Sequence, residues 1–177
     1  MYFRKLEKGF YDLKGDGNPK IVTDLMVRVK VREKVINEMS LYDKYDVPSG
    51  ERPEDTAFKH FGSAELHWVV LMTNNITDAY YDWPMSEQNF ETFLQDKYTN
   101  PDAIHHYETT QSSGKTKANG PDDYSYLVEV SSDAAGAQSV SNREYEQRLQ
   151  DEKRQINLLN PSYLNTFIEE FNKLVRN

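Results

Sequence analysis

The segment from Leu66 to Met72 constrains the fold more than any other part of the chain. Trp68 to Met72 is an unbroken apolar run, and together with Leu66 it covers nearly every side of a helix. A helix that is apolar all round has to be covered on most of its sides. The rest of the chain is polar, with a hydrophobic fraction of 37% and a mean hydropathy of −0.83. We therefore expect a small core around this helix and further burial against partner proteins.

Composition excludes several classes of protein. The 177 residues include no Cys, so neither a disulfide framework nor a thiolate zinc site is expected. The 29 acidic and 21 basic side chains give a net charge of −8, whereas nucleic-acid or anionic-membrane binding needs dense Lys and Arg. No stretch approaches the roughly 18 apolar residues of a membrane span, and residues 1–5 lack the apolar core of a signal peptide. We expect a soluble protein made in the cytoplasm, with no nucleic-acid or membrane partner.

The N-terminal part carries aromatic residues and then a turn signal. Residues 15–19 (Gly-Asp-Gly-Asn-Pro) predict a turn through which no helix can continue. From Leu25 to Met39 the apolar residues fit two periods. Val27, Val29 and Val31 alternate as in a strand, but the wider spacing also suits a helix. Helix is favoured toward the end of this stretch, and its start stays open.

The next segment predicts a strand, two helices and a second strand. Residues 42–47 alternate and end at Pro48-Ser49-Gly50, as a short strand closed by a turn does. Pro53 suits the first turn of a helix that ends at Gly62. The second helix, from about Ser63, ends at Asn74-Asn75 and is followed by a strand at Ile76. The inner face of the first helix is predicted to carry Ala57, Phe58 and Phe61.

Beyond residue 80 the order is uneven. Ser86 caps a predicted helix, whose apolar residues are Phe90, Phe93, Leu94 and Tyr98. Residues 108–125 and 131–142 are mostly polar and predict loops around a strand at 126–130. Order returns with a charged helix at 143–155, in which Glu144 and Arg148 have i,i+4 spacing. Asn160-Pro161 then starts a strongly amphipathic helix that carries Phe167 and Phe171.

Histidines and adjacent carboxylates are the candidate catalytic and metal-binding residues. His60, His67 and the neighbours His105-His106 show none of the spacings typical of zinc ligands, so a structural role is predicted for each. Adjacent carboxylates such as Glu54-Asp55 point in different directions on a helix, whereas a catalytic pair needs facing carboxyl groups. No G-x-S-x-G elbow or complete phosphate loop occurs. We predict no enzyme, catalytic residue, cofactor or metal.

The aromatic residues of the segment 80–84 allow two interpretations. Tyr80, Tyr81 and Trp83 could stack on sugars or bases. Alternatively they form a packing corner against the helix that starts near Ser86, which is the more common use of such residues. In either case the prediction is binding or packing rather than catalysis.

Residues 45–76 resemble a LysM module, whose fold is strand, helix, helix, strand. LysM modules commonly bind the N-acetylglucosamine backbone of peptidoglycan. Arg52-Pro53-Glu54 stands where these modules carry a Thr-Leu-aromatic run beside the sugar groove, a departure that does not favour glycan binding. The resemblance is carried by Tyr45-Asp46-Val47-Pro48-Ser49-Gly50, Ala57, Phe61-Gly62, Leu66 and Asn74-Asn75-Ile76.

A second resemblance covers most of the chain except residues 108–142. The chain is similar to the small baseplate wedge subunit of contractile-tailed bacteriophages, the wedge protein fifty-three type. The pattern is specific as a combination, although its short pieces alone would not be. It consists of Arg52-Pro53-Glu54, Ala57, Phe61-Gly62, Leu66, Trp68-Val69-Val70-Leu71, Asn74, Asp78, Tyr80-Tyr81, Trp83, Tyr145-Glu146 and Lys153-Arg154-Gln155-Ile156.

This second resemblance implies an α+β protein, built on a small LysM-like βααβ core, that clamps adjacent wedges together during assembly. Its implied partners are the other baseplate wedge subunits, the sheath-like inner baseplate protein and adjacent wedges. The implied location is the tail baseplate of a virion assembled in the host cytoplasm. The alternative function is a LysM-type peptidoglycan-binding module of a tail protein.

The predicted organisation has five segments. They are an N-terminal arm and helix (1–41), the LysM-like core (42–80), an aromatic corner and helix (81–107), a loop-rich insertion with one strand (108–142) and a C-terminal helical arm (143–177). Interface or packing roles are predicted for Trp68, Val69, Leu71, Tyr80, Tyr81, Trp83, Tyr145, Phe167 and Phe171.

Overall fold

The computed structural model describes residues 2–26, 29–31, 35 and 38–175, and it confirms the predicted α+β class. The strands are β1 (Lys8–Tyr11), β2 (Lys20–Thr23), β3 (Tyr42–Asp46), β4 (Ile104–Gln111), β5 (Tyr126–Val130), β6 (Gln138–Ser141) and β7 (Gln155–Leu159). The α-helices are α1 (Pro53–Phe61), α2 (His67–Thr73), α3 (Glu87–Lys97), α4 (Asn142–Arg154) and α5 (Leu164–Val175). Short 3-10 turns occupy Tyr2–Lys5, Met39–Leu41, Ala64–Leu66 and Pro161–Tyr163. The predicted helix toward Met39 falls largely on residues 27–28, 32–34 and 36–37, which lie outside the described residues.

The chain forms two compact units. The first consists of Met1–Pro84 and Lys153–Asn177, and the second of Met85–Glu152. The first unit contains the β1–β2 hairpin, the β3–β7 pair, α1, α2 and α5, and the second contains α3, most of α4 and a sheet of order β5-β4-β6.

The strand pair β3–β7 joins distant parts of the first unit. It is antiparallel, with Tyr42 opposite Leu159 and Asp46 opposite Gln155. Backbone hydrogen bonds continue the pairing at both ends, where Val47 donates to Arg154 and Asn160 donates to Leu41. The prediction of a strand over 42–47 is therefore confirmed, and its partner comes from more than a hundred residues further along the chain.

Helix α1 follows the predicted signals at both ends. Pro53 occupies its first turn, and Gly62 ends it in the left-handed conformation at φ 75°. Pro53, Ala57 and Phe61 are spaced by four residues and share one face, and Ala57 is fully buried. Phe58 lies about 100° around the helix from Ala57 and is exposed, so its prediction as an inner-face residue is wrong.

Helix α2 lies between two apolar clusters, as its all-round apolar surface requires. Trp68 and Val69 enter one cluster, and Val70 enters the other. The first cluster contains Leu6, Tyr42, Trp68, Val69, Leu159, Phe171 and Val175. The second contains Val47, Ala57, Val70, Trp83, Ile156 and Leu158. The predicted core around this helix is confirmed.

The predicted strand at Ile76 is wrong. Helix α2 ends in a Schellman motif, in which Asn75 adopts φ 55° and its N–H donates to Met72, while the Ile76 N–H donates to Leu71. That bond removes the Ile76 N–H from any strand ladder. Asn74 instead pairs its side-chain amide with the backbone of Asn157 in β7, at 2.8 Å and 2.9 Å. The strand that pairs with β3 is β7, from a distant part of the sequence, and the LysM-like arrangement stays a prediction.

Helix α5 packs within the first unit through its aromatic face. The ring centroids of Trp68 and Phe171 lie 4.7 Å apart, and those of Trp68 and Phe167 lie 6.2 Å apart. The side chain of Asn160 accepts the Ser162 N–H at 3.0 Å, which confirms the predicted cap before the helix. The amphipathic face is therefore satisfied within the same chain.

The sheet of the second unit contains two strands that the sequence does not predict. Strand β5 is confirmed at 126–130, but β4 and β6 occupy ends of the regions predicted as loops. Strand β4 is central and pairs antiparallel with both neighbours. Both missed strands are rich in polar residues, because much of their surface stays exposed. The cap at Ser86, whose hydroxyl accepts the Asn89 N–H at 3.3 Å, and the charged helix at 143–155 are confirmed.

We expect Trp68→Ala to lower the free energy of unfolding of the first unit by about 3–5 kcal/mol, because the ring fills the contact between α2 and α5. Urea unfolding followed by the fluorescence of the remaining Trp83 measures this. Phe58→Ala removes an exposed ring and is expected to change the stability by less than about 0.5 kcal/mol. Equal unfolding midpoints for the two variants would contradict the packing described here.

Candidate interaction surfaces

The nine residues with predicted interface or packing roles divide by exposure. Trp68, Val69, Trp83 and Phe171 are buried, and Leu71, Tyr145 and Phe167 are partly buried. Tyr80 and Tyr81 are exposed. All of them except Tyr145 belong to the first unit. An interface role therefore concerns chiefly the two exposed tyrosines, while the buried residues pack within the fold.

Trp83 holds the loop after α2 against the core. Its ring packs with Val47, Ala57 and Ile156, and its Nε1–H donates to the backbone oxygen of Glu51 at 2.8 Å. A buried indole N–H needs such a partner. Trp83 is thus a packing residue of the first unit, and a packing corner against the helix that starts near Ser86 stays a prediction.

Tyr80 and Tyr81 project from a fixed loop. The Asp78 carboxylate accepts their backbone N–H groups at 2.9 and 3.3 Å, and Lys153 donates to the Tyr81 carbonyl at 2.8 Å. The two rings contact each other edge to face, with centroids 4.9 Å apart, and Tyr80 remains 80% exposed. Aromatic side chains presented from a rigid loop lose little entropy on binding. This tyrosine pair, Tyr80 and Tyr81, is one candidate contact surface.

The β1–β2 hairpin, residues 8–23, is a second candidate surface; it lies within the predicted N-terminal arm, but its two strands were not predicted. Phe10 lies opposite Ile21, and their side chains are 76% and 66% exposed. A two-stranded hairpin is marginally stable by itself in water. The signal that could have found it is the turn at 15–19 flanked by Phe10-Tyr11 and Ile21-Val22. Exposed apolar residues also include Leu13, Leu25 and Met26.

Asp12 organises the hairpin loop. Its carboxylate accepts the backbone N–H groups of Gly15 and Gly17, each at 2.8 Å, with weaker bonds from Lys14 and Asp16. These hydrogen bonds, of which the one from Gly17 has the largest effect, hold the pKa of Asp12 below its ordinary value. Gly15 and Gly17 adopt positive φ, which confirms the predicted turn.

Glu51 is a buried carboxylate in the first unit. It accepts hydrogen bonds from Tyr45, from Thr56 at 2.7 Å and from Lys59 at 2.5 Å. Burial favours the neutral acid, but the hydrogen bonds outweigh it and hold the pKa of Glu51 below its ordinary value. The carboxylate fixes the start of α1 to β3.

Two buried carboxylates hold α4 in the second unit. Glu146 accepts from Lys97 at 2.6 Å and from the Tyr98 hydroxyl at 2.7 Å, which ties α4 to the end of α3. Glu108 of β4 accepts a forked pair of bonds from Arg148, both at 2.8 Å. The hydrogen bonds from Arg148, and to a lesser extent the nearby His106, lower the pKa of Glu108. Burial alone would raise the pKa of Glu146, but the hydrogen bonds from Lys97 and Tyr98 outweigh it and lower that pKa. Paired carboxylates thus join α4 to both α3 and β4.

The histidines have structural contacts. His60 Nε2 lies 2.9 Å from the Leu159 carbonyl, and His67 Nδ1 lies 2.9 Å from the Ala64 carbonyl. The Nδ1 atoms of His105 and His106 are 2.8 Å apart, and the His105 ring stacks on Tyr145 at 4.1 Å. No group of three His, Asp or Glu side chains that could hold a metal ion occurs in the part of the chain that the structure describes.

None of the helices in the described ranges is both long enough and apolar enough to cross a lipid bilayer.

We expect Glu146→Gln to lower the free energy of unfolding at pH 7 by about 1–3 kcal/mol, because it removes the charge of a buried carboxylate that is hydrogen-bonded to half-exposed Lys97 and to Tyr98. A carboxylate whose pKa is lowered by folding stabilises the fold above its unfolded-state pKa, near 4.5 for Glu, and this stability is lost as the pH falls through the lower folded-state value. The variant should therefore lose less stability than the unmodified chain between about pH 5 and pH 2.

Urea unfolding followed by circular dichroism at several pH values measures this, and Glu152→Gln, at an exposed position of the same helix, is the control. An unchanged pH dependence in Glu146→Gln would show that the carboxylate carries none of the acid sensitivity.

Comparison with known proteins identifies the family. The family model described as Base plate wedge protein 53 matches residues 18–112. The baseplate wedge protein gp53 of Enterobacteria phage T4 is 36% identical over 56 residues, a stretch that covers 32% of this chain and 29% of that protein. The resemblance to baseplate wedge subunits is thus confirmed, and since the family model matches more than half of the chain, the chain belongs to the Base plate wedge protein 53 family.

Proposed function

We propose that this chain is a structural subunit of a contractile phage tail baseplate and clamps adjacent wedges together during assembly. Family membership supports the baseplate role. The proposed partners are other wedge subunits, the sheath-like inner baseplate protein and the adjacent wedge, and the proposed location is the virion after assembly in the host cytoplasm.

The observation that carries this proposal is the exposed hairpin. Every residue of β1 is exposed, and β2 is nearly so, although both strands carry apolar side chains. A monomeric surface rarely leaves such residues uncovered without a binding role. Docking against another polypeptide would cover Phe10 and Ile21 and would stabilise a hairpin that is marginal alone.

The tyrosine pair supplies a second contact within the same unit. Tyr80 and Tyr81 are exposed, and their loop is fixed by Asp78 and Lys153. Tyrosine is common among the residues that dominate binding energy at interfaces. Two separate contacts on one unit let modest affinities combine, which is what a clamp between neighbouring subunits requires.

The buried carboxylates support a structural role. A general acid catalyst needs a carboxyl group whose pKa is raised by an apolar surrounding. Glu51, Glu108 and Glu146 instead have lowered pKa values, because Lys59, Arg148 and Lys97 respectively donate to them. Each of these carboxylates connects elements of the fold.

We expect the double variant Phe10→Asp with Ile21→Asp to fail to join wedge complexes, because two charges cannot be buried in the proposed apolar contact. Co-expression with the other wedge subunits of its own phage, followed by sedimentation of the assembled complexes, measures incorporation. Circular dichroism of the free variant should show the same helical signal as the unmodified chain, because the hairpin contains no helix.

Lys14→Asp is the matched control, since it makes the same change in net charge at an exposed position of the hairpin loop. Normal incorporation of the double variant would reject the hairpin as a docking surface. Failure of the control as well would point to net charge rather than to apolar contact.

The peptidoglycan-binding alternative makes a separate prediction. If the tyrosine pair contacts protein, titration of the chain with soluble peptidoglycan fragments in a calorimeter should give no binding heat. Binding that is lost in Tyr80→Ala with Tyr81→Ala would favour the alternative, because aromatic rings stack on sugar faces.

A further inference from the structure

The net charge of the chain is confined to its second unit. Residues 85–152 carry thirteen acidic and five basic side chains, which accounts for the whole net charge of −8. The first unit has sixteen of each. Surfaces of opposite charge attract and orient binding partners, so the second unit favours a basic partner.

Internal ion pairs occupy most of the basic groups of this unit. Lys97 pairs with Glu146, Arg148 pairs with Glu108 and Glu144, and Arg143 pairs with Glu91 and Asp102. Lys115 and Lys117, which lie between β4 and β5, are the other two basic residues of this unit and form no ion pair with the described residues. Glu129 of β5 has no ion pair among the residues that the structure describes.

The two outer edges of the sheet differ. Strand β6 has four residues, three of them polar, buries Val140 and pairs with β4 through an irregular register between Ile104 and His106. Short, irregular edges resist the addition of another strand. Strand β5 (Tyr-Leu-Val-Glu-Val) pairs regularly with β4, has no Pro or Lys, and leaves Tyr126 59% exposed. Its outer edge has no strand partner within the described ranges.

Glu129 determines which strand could add at that edge. It lies directly opposite Glu108, whose charge is already matched by Arg148. A strand added on the outer side would place a residue beside Glu129, where Lys or Arg is stabilising and an acid is not. Tyr126, Val128 and Val130 lie on the other face of β5, where they favour apolar neighbours.

We propose that the free edge of β5 receives an extended segment of a partner polypeptide in which Lys or Arg alternates with apolar residues. The segment adds as a fourth strand, with a basic residue beside Glu129 and apolar residues beside Val128. A second copy of this chain fits poorly, because both acidic units would carry a charge of −8 into the contact. The inference rests on the proposed function only in taking the partner to be a protein.

The test uses the full chain and a synthetic ten-residue peptide in which lysine alternates with valine, with a glutamate-for-lysine peptide as control. Fluorescence anisotropy measures the affinity, and amide hydrogen exchange by nuclear magnetic resonance measures protection at Tyr126–Val130. We expect the lysine peptide to bind and the control not to bind. The outward-facing amides of β5 should become protected, as strand addition requires.

Glu129→Lys should weaken peptide binding by about tenfold, because an attractive pair becomes a repulsive one. Glu152→Lys makes the same change in net charge on α4 and should leave the affinity within about twofold. Glu129→Gln, which keeps the size of the side chain, should give an intermediate loss if Glu129→Lys proves misfolded by circular dichroism.

Equal losses in Glu129→Lys and Glu152→Lys, or binding without protection of the β5 amides, would show non-specific attraction and overturn the proposal. Absence of binding, or dimerisation of the chain through β5 in sedimentation, would overturn it as well. None of these outcomes affects the test of wedge incorporation through the hairpin, so the β5 proposal and the hairpin proposal can fail independently.

Discussion

Covering helix α2 is the constraint on which the rest of the first unit depends. Its apolar residues point in nearly all directions, and α1 with the β3 segment cannot cover them alone. Strand β7 and helix α5, from the far end of the sequence, supply Ile156, Leu158 and Phe171. The side-chain amide of Asn74, bonded to both backbone groups of Asn157, locks β7 beside the end of α2. The unit is therefore defined by contacts between segments some eighty or more residues apart.

The two units reach stability by different physical means. The first encloses two apolar clusters, whereas the second buries few apolar side chains, among them Phe90, Leu94 and Val140. In the second unit, α4 is joined to its neighbours by carboxylates that are paired with Lys or Arg and hydrogen-bonded. Such pairs contribute modestly when intact and cost much when one partner is lost. This difference follows from composition, because the second unit is rich in acidic residues and poor in buried apolar ones.

Long periodic elements with clear end signals could be predicted from the sequence, and isolated polar strands could not. Helices α1, α2, α4 and α5 follow from apolar spacing and from end signals such as Pro53 in the first turn of α1 and the Asn160 cap before α5. Strands β4 and β6 have no apolar alternation, because only Glu108 and Val140 among their residues are buried. The roles of Glu108 and Glu146 depend on partners 40 and 49 positions away, which spacing rules for one helix do not reach. The sequence does not distinguish a Schellman motif at Ile76 from the start of a strand, because both follow an Asn-rich turn signal.

The late position of β7 has a consequence for synthesis of the protein on the ribosome. Strand β3 and helix α2 emerge early, but their cover arrives only when residues 155–175 have left the exit tunnel. Until then Trp68 and its neighbours are accessible to chaperones and proteases. A product that stops before α5 lacks this cover and is open to degradation, so the first unit folds completely only in chains translated through α5.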